Sequence, residues 1–342
     1  MPSWRGTEMA RDIKIGISGG GVLHTDAHVP DVATQFRMVR DAGVFDYFER
    51  TPLPGLLDSY KKASAETGIP LMSGGFFYAL GRDEPLLEWH LRIGAECGMR
   101  VQNVQVPFRD ASGKRVTDQQ VADFYLWAAE LGDRLGVVPC FEVHINMWSE
   151  RFSRVAKVAR LVEARGVPYN MTLDHSHVIF KIDNAGELGI EGLAEDLADG
   201  VVLDPYRPGN VCGEWIANNW VRHAHARPAV PNNPRNAWGA HPDSSLGRGV
   251  QYPFIRPKPG EWHSEWDEAK LEPWKEVVRQ MFAHHARDPN SRLEQVTVEM
   301  IPGIDYGFGH RYSIFEHSVE VAKWLKQAWV SARGGVNVLL TY

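Results

Sequence analysis

The hydrophobic pattern of this chain changes its period repeatedly, and this alternation limits the folds available to it. Eight short apolar segments alternate their side chains between two faces, and most are followed by a stretch with helical spacing. Alternating strands and helices build a parallel sheet that is covered by helices. An open doubly wound sheet would satisfy the pattern, but eight regular units favour closure. We therefore predict an α/β fold, a (β/α)₈ TIM barrel formed by one domain over residues 1–342.

Two connections between the predicted strands are longer than such barrels usually need. Residues 178–219 and 228–266 are predicted insertions at the barrel mouth, after strands six and seven, and residues 1–11 form a polar leader. The second insertion is rich in Pro, Gly, Asn and Trp. Its tryptophans either form a small core of their own, or provide a lid, an aromatic wall over the pocket or a surface for another subunit. The predicted strands are residues 12–18, 44–50, 69–77, 99–107, 140–146, 169–177, 220–227 and 295–302.

Composition and charge exclude several classes of protein. The net charge of −6 leaves no basic surface of the kind that binds nucleic acid. No segment approaches the ~20 apolar residues of a membrane span, and the leader lacks the apolar core of a signal peptide. The three cysteines are few and unpaired in spacing, so the expected location is the reducing cytoplasm.

Four strands in the second half of the chain end in acids and imidazoles that share one face. Glu142 alternates with Phe141 and Val143, and the same alternation sets Asp174, His225 and Glu299 apart from their apolar neighbours. In a TIM barrel the carboxyl ends of the strands form the active face. A buried carboxylate needs a partner to offset its desolvation. One divalent cation shared by the four strand ends would meet that need.

Three carboxylates and one imidazole make a hard, oxygen-rich ligand set. Such a set suits Mn²⁺ best, with Mg²⁺ or Co²⁺ as alternatives, and the chain has no Cys-x-x-Cys pair for a structural zinc site. The alternative is that Glu142, Asp174, His225 and Glu299 form salt bridges and hydrogen bonds inside the barrel. Four such residues at consecutive strand ends favour a metal site.

Other polar residues lie close to these strand ends in the sequence. His144 shares a face with Glu142 and is predicted to be a catalytic base, although it could instead orient a carboxylate. His177 and Arg227 end the sixth and seventh predicted strands, and both are predicted to bind substrate. His24, in the loop after the first strand, is a further candidate for a substrate contact.

At these residues the chain resembles the xylose isomerase-like TIM barrels, which include sugar phosphate isomerases, ketose epimerases and endonuclease-type DNA repair enzymes. The resemblance covers about residues 12–331 and implies a divalent metal held by a Glu, an Asp, a His and a Glu. The D-x-x-H pattern from Asp174 to His177 resembles the family's pair of ligand and substrate-binding residue. The H-x-H pattern implies that His225, and not His223, is the nitrogen ligand. The implied metal ligands are Glu142, Asp174, His225 and Glu299.

Within this group the chain is most similar to the α subunit of bacterial C-glycoside deglycosidases. Glu142 is followed by His144, while Trp148 and Pro231 stand where ketose epimerases carry a Glu and an Arg. The resemblance implies cleavage of a 3-keto C-glycoside by β-elimination, in which the metal polarises the carbonyl and the histidine removes the C2 proton. It also implies a small β subunit, with a homo-oligomer as another possible assembly. The alternatives are a ketose or sugar phosphate isomerase or 3-epimerase and, more remotely, an abasic-site endonuclease.

Overall fold

The computed structural model of the protein describes residues 12–22 and 29–339. The predicted polar leader and His24 therefore lie outside the described residues. Within the described residues no helix is both long and apolar enough to cross a membrane. The strands are β1 (Lys14–Ser18), β2 (Tyr47–Glu49), β3 (Leu71–Phe77), β4 (Val101–Gln105), β5 (Val138–Glu142), β6 (Met171–Asp174), β7 (Val221–His225), β8 (Asn236–Ala240), β9 (Leu246–Gly247) and β10 (Gln295–Val298).

The helices surround the strands in the order that the sequence predicts. Among the described residues, five long helices follow β1, β2, β3, β4 and β5, two more precede and follow β10, and three short helices occupy the connection between β6 and β7. The helices are α1 (Val32–Ala42), α2 (Leu57–Thr67), α3 (Glu84–Cys97), α4 (Asp118–Leu135), α5 (Phe152–Glu163), α6 (Ser176–Ile179), α7 (Leu193–Ala198), α8 (Val211–Ala217), α9 (Glu272–Arg287) and α10 (Ile314–Leu339).

Eight of the strands form a closed parallel barrel, and this confirms the predicted (β/α)₈ fold. The order around the barrel is β1, β10, β7, β6, β5, β4, β3 and β2, and the last strand pairs with the first. The pairing sets Asp174 beside His225, and His225 beside Thr297, so the polar strand ends stand at similar heights. The antiparallel pair β8–β9 is a separate two-stranded sheet in the connection between β7 and β10.

Glycines end the first four outer helices and turn the chain into the next strand. Gly43, Gly68, Gly98 and Gly136 follow α1 to α4, and each adopts the left-handed conformation that a helix C-terminus favours. The chain therefore returns to the barrel by short turns at the amino ends of the strands. The longer connections lie at the opposite rim, where the strands end.

A layer of polar side chains fills the barrel below that rim. The Tyr47 hydroxyl lies 2.7 Å from Thr297 Oγ1, and His223 contacts Thr172 on one side and Thr297 on the other. Gly16 makes room for the tyrosine, because a Cβ atom there would lie 2.3 Å from the Tyr47 ring. The barrel interior is thus packed with paired polar groups that support the strand ends above them.

Four buried charged side chains join three of the connections at the carboxyl rim. Lys181 lies 2.8 Å from Glu150 and 3.5 Å from Glu187, and Arg248 contacts both carboxylates. Burial alone would raise the pKa of Glu150, but Lys181 and Arg248 outweigh it and hold that pKa at about 2. We call Glu150, Lys181, Glu187 and Arg248 the rim quartet. It ties together the segment after β5, the β6–β7 connection and the β7–β10 connection.

The tryptophans of the β7–β10 connection pack against one another and their aromatic neighbours. The Trp262 ring lies 4.7 Å from His310 and 5.5 Å from Tyr252, and Trp274 lies 5.5 Å from Trp324. No tryptophan lines the cavity at the barrel mouth within the part of the chain that the structure describes. These contacts favour a small aromatic core over an aromatic wall of the pocket, while the lid and the surface for another subunit stay predictions.

Candidate active site

A cavity of about 520 Å³ opens at the carboxyl ends of the barrel strands. This volume lies within the range of ordinary small-molecule sites. Three of the predicted site residues, His144, His225 and Glu299, line it, together with Glu49 from β2. The other lining residues are Ser18, Gly19, Gly20, Arg50, Thr51, Gly75, Phe76, Phe77, Asn103, Gln105, Asn146, Met147, Ile301, Pro302, Asp305 and Tyr306.

The four predicted metal ligands come together at the floor of this cavity, and His225 and Glu299 line it. One ligand atom from each of Glu142, Asp174, His225 and Glu299 lies within 4.8 Å of the others. His225 Nδ1 lies 2.8 Å from Glu142 and 3.0 Å from Glu299. Glu142 and Asp174 are fully buried, while Glu299 keeps 14% of its side chain exposed. Three carboxylates and one imidazole this close together fit the ligand preference of a hard divalent cation.

Neighbouring side chains hold the carboxylates in place. Asn103 and Gln105 of β4 both donate to Glu142 Oε2, the Asn103 bond being 2.7 Å long, so Oε1 is the oxygen turned towards His225. Ser176 donates to Asp174 Oδ1 through its backbone N–H at 3.0 Å and through its hydroxyl at 2.5 Å. These bonds thus hold one oxygen of each of the two acids. The other oxygen is turned towards the cluster.

Arg227 extends into the cluster from the residues after β7. Its guanidinium donates to Asp174 Oδ2 at 2.6 Å and to Glu299 Oε2, and its Nε donates to the Glu299 carbonyl at 2.9 Å. The side chain is fully buried and lies over the Tyr306 ring, 4.4 Å from its centroid. Arg227 is absent from the cavity lining, so its predicted contact with substrate stays a prediction. In this structure its charge compensates two of the cluster acids.

His225 has carboxylates on both sides of its ring. Nε2 lies 3.0 Å from Glu49, opposite the two acids that face Nδ1. Burial alone would lower the pKa of His225, but Glu299, Glu49 and Glu142 together raise it well above its ordinary value. Glu49, His223 and His225 form a second group whose ligand atoms lie within 4.8 Å of one another. Within the described residues, two overlapping arrangements therefore have metal-ligand chemistry, and both use His225.

His144 faces the cavity beside the cluster. Its Nδ1 lies 2.5 Å from the Ile145 carbonyl, which can only accept, so Nδ1 carries the proton. Nε2 is then free to accept and lies 3.0 Å from the Tyr306 hydroxyl, which donates to it. Burial, with the nearby His177 acting in the same direction, lowers the pKa of His144 to about 4. The imidazole is therefore neutral at pH 7, with a lone pair available at the cavity wall.

His177 stands in the first turn of α6 and turns back over the cluster, as its position after Asp174 predicts. Its Nε2 lies 3.2 Å from Asp174 Oδ2, and its ring centroid is 4.3 Å from that of His144. The side chain is almost fully buried and does not line the cavity. The structure thus places His177 between the metal-ligand group and the candidate base, and its contact with substrate stays a prediction.

The mouth of the cavity is apolar on one side. Phe76 and Phe77 at the end of β3 are 41% and 47% exposed, and Met147 and Ile301 line the same cavity. The Phe77 ring lies 6.2 Å from that of His144 in an edge-to-face arrangement. The cavity therefore combines a charged floor with an aromatic rim.

Glu49 and Tyr306 are among the site residues that the sequence interpretation missed. Glu49 ends β2 as Glu142 ends β5, so the same alternation of side chains could have identified it. The adjacent Arg50, however, gives this segment the pattern of a strand end that is exposed to solvent. Tyr306 lies in an irregular segment after Glu299, where no periodicity indicates which side chain turns inward. Only the folded chain brings it to His144.

Comparisons with known proteins identify the fold. No protein-family model and no curated protein sequence matches the chain. D-allulose 3-epimerase from Methylomonas sp., solved with D-allulose, superposes with a TM-score of 0.53 at 12% identity, over 94% of this chain and 98% of that one. A xylose isomerase domain-containing protein from Salmonella typhimurium LT2 gives 0.52 at 13%, over 94% and 100%.

A third solved structure agrees with these two. A xylose isomerase domain protein from Alicyclobacillus acidocaldarius superposes with a TM-score of 0.50 at 14% identity, over 93% of this chain and 99% of that one. The protein therefore has the same barrel fold as these three structures. At such low identities the likeness is one of fold alone, so the narrower resemblance to a C-glycoside deglycosidase stays a prediction.

Proposed function

We propose that the protein is a divalent-metal-dependent enzyme that removes a proton next to a sugar carbonyl. Its most specific form is the α subunit of a C-glycoside deglycosidase, which cleaves a 3-keto C-glycoside by β-elimination. The observation that carries the proposal is the meeting of Glu142, Asp174, His225 and Glu299 beside a neutral histidine at the carboxyl rim of the barrel. Mn²⁺ is the proposed ion, ahead of Mg²⁺ and Co²⁺.

The donor set fits such an ion. Glu142, Asp174 and Glu299 provide oxygen ligands, His225 provides Nδ1, and Asn103 and Gln105 hold the first carboxylate in position. A divalent cation held by these groups would act as a Lewis acid on a sugar carbonyl and favour loss of the neighbouring proton.

His144 is the proposed base because its unprotonated Nε2 faces the cavity. In the proposed reaction Nε2 takes the proton from C2, next to the 3-keto group, as C1 and C2 become doubly bonded. The bond between C1 and the aglycone carbon breaks, and that carbon takes up a proton, so an unsaturated keto sugar and the free aglycone leave. Arriving substrate must displace the Tyr306 hydroxyl from Nε2, which makes Tyr306 a proton donor within reach of the reaction.

The aromatic rim supports an aromatic leaving group. Phe76 and Phe77 are large, exposed and close to the base, so a flat aglycone could lie against them while the sugar reaches the charged floor. A free ketose would leave this apolar surface uncovered. The resemblance also implies a small β subunit, and the assay below therefore includes one.

The direct test uses a 3-keto C-glucoside with an aromatic aglycone, Mn²⁺ and the purified chain, alone and with a β subunit of the deglycosidase family. We expect release of the aglycone, and EDTA should abolish it. If no aglycone appears in either mixture, the deglycosidase assignment is wrong. If D-fructose or D-allulose is instead epimerised, the protein is a ketose epimerase that uses the same base.

Two variants test the assigned roles, with matched controls on α9. His144→Ala should lose turnover and keep its fold and bound metal, while Glu142→Gln should lose the bound metal. His284→Ala and Glu276→Gln alter the same residue types away from the cavity and should leave both properties unchanged. Unchanged turnover in His144→Ala would remove the histidine from its role as base.

A further inference from the structure

Glu49 is a buried acid that the proposed metal site does not include. It ends β2, is 5% exposed and lines the floor of the cavity. Its Oε2 accepts from the Ser73 hydroxyl at 2.6 Å and from the Thr297 hydroxyl at 2.9 Å. Its Oε1 lies 3.0 Å from His225 Nε2. Side chains from three other strands thus hold this carboxylate in one orientation, and a buried acid so firmly placed requires an explanation.

The two ring nitrogens of His225 have different neighbours. Nδ1 faces Glu142 and Glu299, two of the proposed ligands, at 2.8 and 3.0 Å, while Nε2 faces Glu49. An imidazole that gives the lone pair of Nδ1 to a metal must carry its proton on Nε2. Glu49, as a carboxylate, accepts that N–H. The carboxylate thereby selects the tautomer that a metal ligand needs and fixes the plane of the ring.

The same acid could instead belong to a second metal site with His223 and His225. The contacts of that group oppose this. His223 lies 3.1 Å from Thr172 Oγ1 through Nδ1 and 2.9 Å from Thr297 Oγ1 through Nε2, so both of its nitrogens have hydroxyl partners. An ion there would have to displace hydroxyl groups from Glu49 and His223 and also use Nε2 of His225. The group is better described as a closed hydrogen-bond network.

We propose that Glu49 is a positioning residue of the metal centre, which accepts the Nε2 proton of His225 and so presents Nδ1 to the cation. This inference rests on the proposed metal site. It goes beyond the four ligands, because it gives the site a fourth acid that never contacts the ion. Carboxylates that hold a ligand histidine in this way typically contribute 10–100-fold to metal affinity.

The test measures Mn²⁺ affinity by calorimetric titration of metal-stripped protein and the visible spectrum of the Co²⁺ form. The Glu49→Gln variant keeps the shape of the side chain but removes its charge, and its amide can donate to Nε2 and shift the proton to Nδ1. We expect affinity to fall 10–100-fold and the Co²⁺ bands to shift. Asp196→Asn is the control, because Asp196 is an equally buried acid that pairs with Arg151 outside the cavity.

The outcomes distinguish a failure of the positioning role of Glu49 from a failure of the proposed metal site. If the unaltered protein binds no divalent ion, the metal site itself is wrong. If it binds one ion and Glu49→Gln matches it in affinity and Co²⁺ spectrum, the positioning role is wrong. Two ions per chain, one of them lost in Glu49→Gln, would show that Glu49 is a ligand. Should Glu49→Gln fail to fold, Glu49→Asp keeps the charge, and we expect it to bind Mn²⁺ more weakly than the unaltered protein.

Discussion

The most informative perturbation of this structure removes the charge of Arg227. Its guanidinium is fully buried and compensates Asp174 and Glu299 at the same time. The Arg227→Met variant keeps much of the side-chain volume but leaves both carboxylates without their cation. Breaking a buried ion pair in this way costs about 3–5 kcal/mol, because the remaining charge stays desolvated and unpaired.

That cost can be converted into a shift of the melting temperature. With an unfolding entropy of about 2.1 cal/mol/K per residue, a chain of 342 residues changes its unfolding free energy by about 0.7 kcal/mol for each degree near its midpoint. Without metal, Arg227→Met should therefore melt about 4–7 °C lower than the unaltered protein. A divalent cation bound between the same acids supplies the missing positive charge. Saturating Mn²⁺ should therefore reduce the difference in melting temperature between Arg227→Met and the unaltered protein.

The assay is thermal unfolding followed by tryptophan fluorescence, in EDTA and in excess Mn²⁺. Arg279→Met is the matched control, since Arg279 pairs with Glu272 at 2.8 Å but is 43% exposed, and such surface pairs contribute about 0–1 kcal/mol. A melting temperature for Arg227→Met no lower than that of the control would refute the compensating role of the buried guanidinium. If Arg227→Met lowers the melting temperature equally with and without Mn²⁺, the claim that Arg227 compensates the charge of the metal ligands is wrong.

Three further predictions follow from single contacts. Tyr306→Phe removes the hydroxyl that the proposed reaction uses as a proton donor, so kcat should fall by about 100-fold or more while the bound metal stays unchanged. Burial lowers the pKa of His317 to about 3, against 6.5 in the unfolded chain. The neutral His317 side chain therefore contributes fully to the free energy of unfolding above pH 6.5, and this contribution is lost as the pH falls towards 3. His317→Gln should therefore flatten the loss of stability in urea titrations between pH 6.5 and 4 by about 1.4 kcal/mol per pH unit. Gly16→Ala brings a Cβ atom within 2.3 Å of a tyrosine ring and should cost about 1–3 kcal/mol in thermal unfolding, whereas Gly55→Ala, with open space around it, should not.

The barrel and the grouping of the three acids and His225 were predictable because both follow from local periodicity. Alternation on a strand decides which face Glu142 or Glu299 occupies, and the parallel order of strands brings their ends to one rim. These arguments need no knowledge of which strands are neighbours. The structure brings together the same four residues that the sequence singles out.

The roles of Arg227, Glu49 and Tyr306 could not be predicted in the same way. Strand alternation does not tell whether the long side chain of Arg227 extends towards solvent or folds back onto two acids. The role of Glu49 depends on its contact with His225, which is 176 residues away in the chain. Tyr306 belongs to a segment without regular structure, where the direction of a side chain depends on tertiary contacts.

The rim quartet bears on how the chain could be altered by evolution or by design. In many TIM barrels the loops at the active face can be exchanged one at a time, because each is anchored by its own strand and helix. Here Glu150, Lys181, Glu187 and Arg248 belong to three different connections and neutralise one another below the surface. A transplanted loop would leave a buried charge without its counterion. These three connections must therefore be inherited or transplanted together.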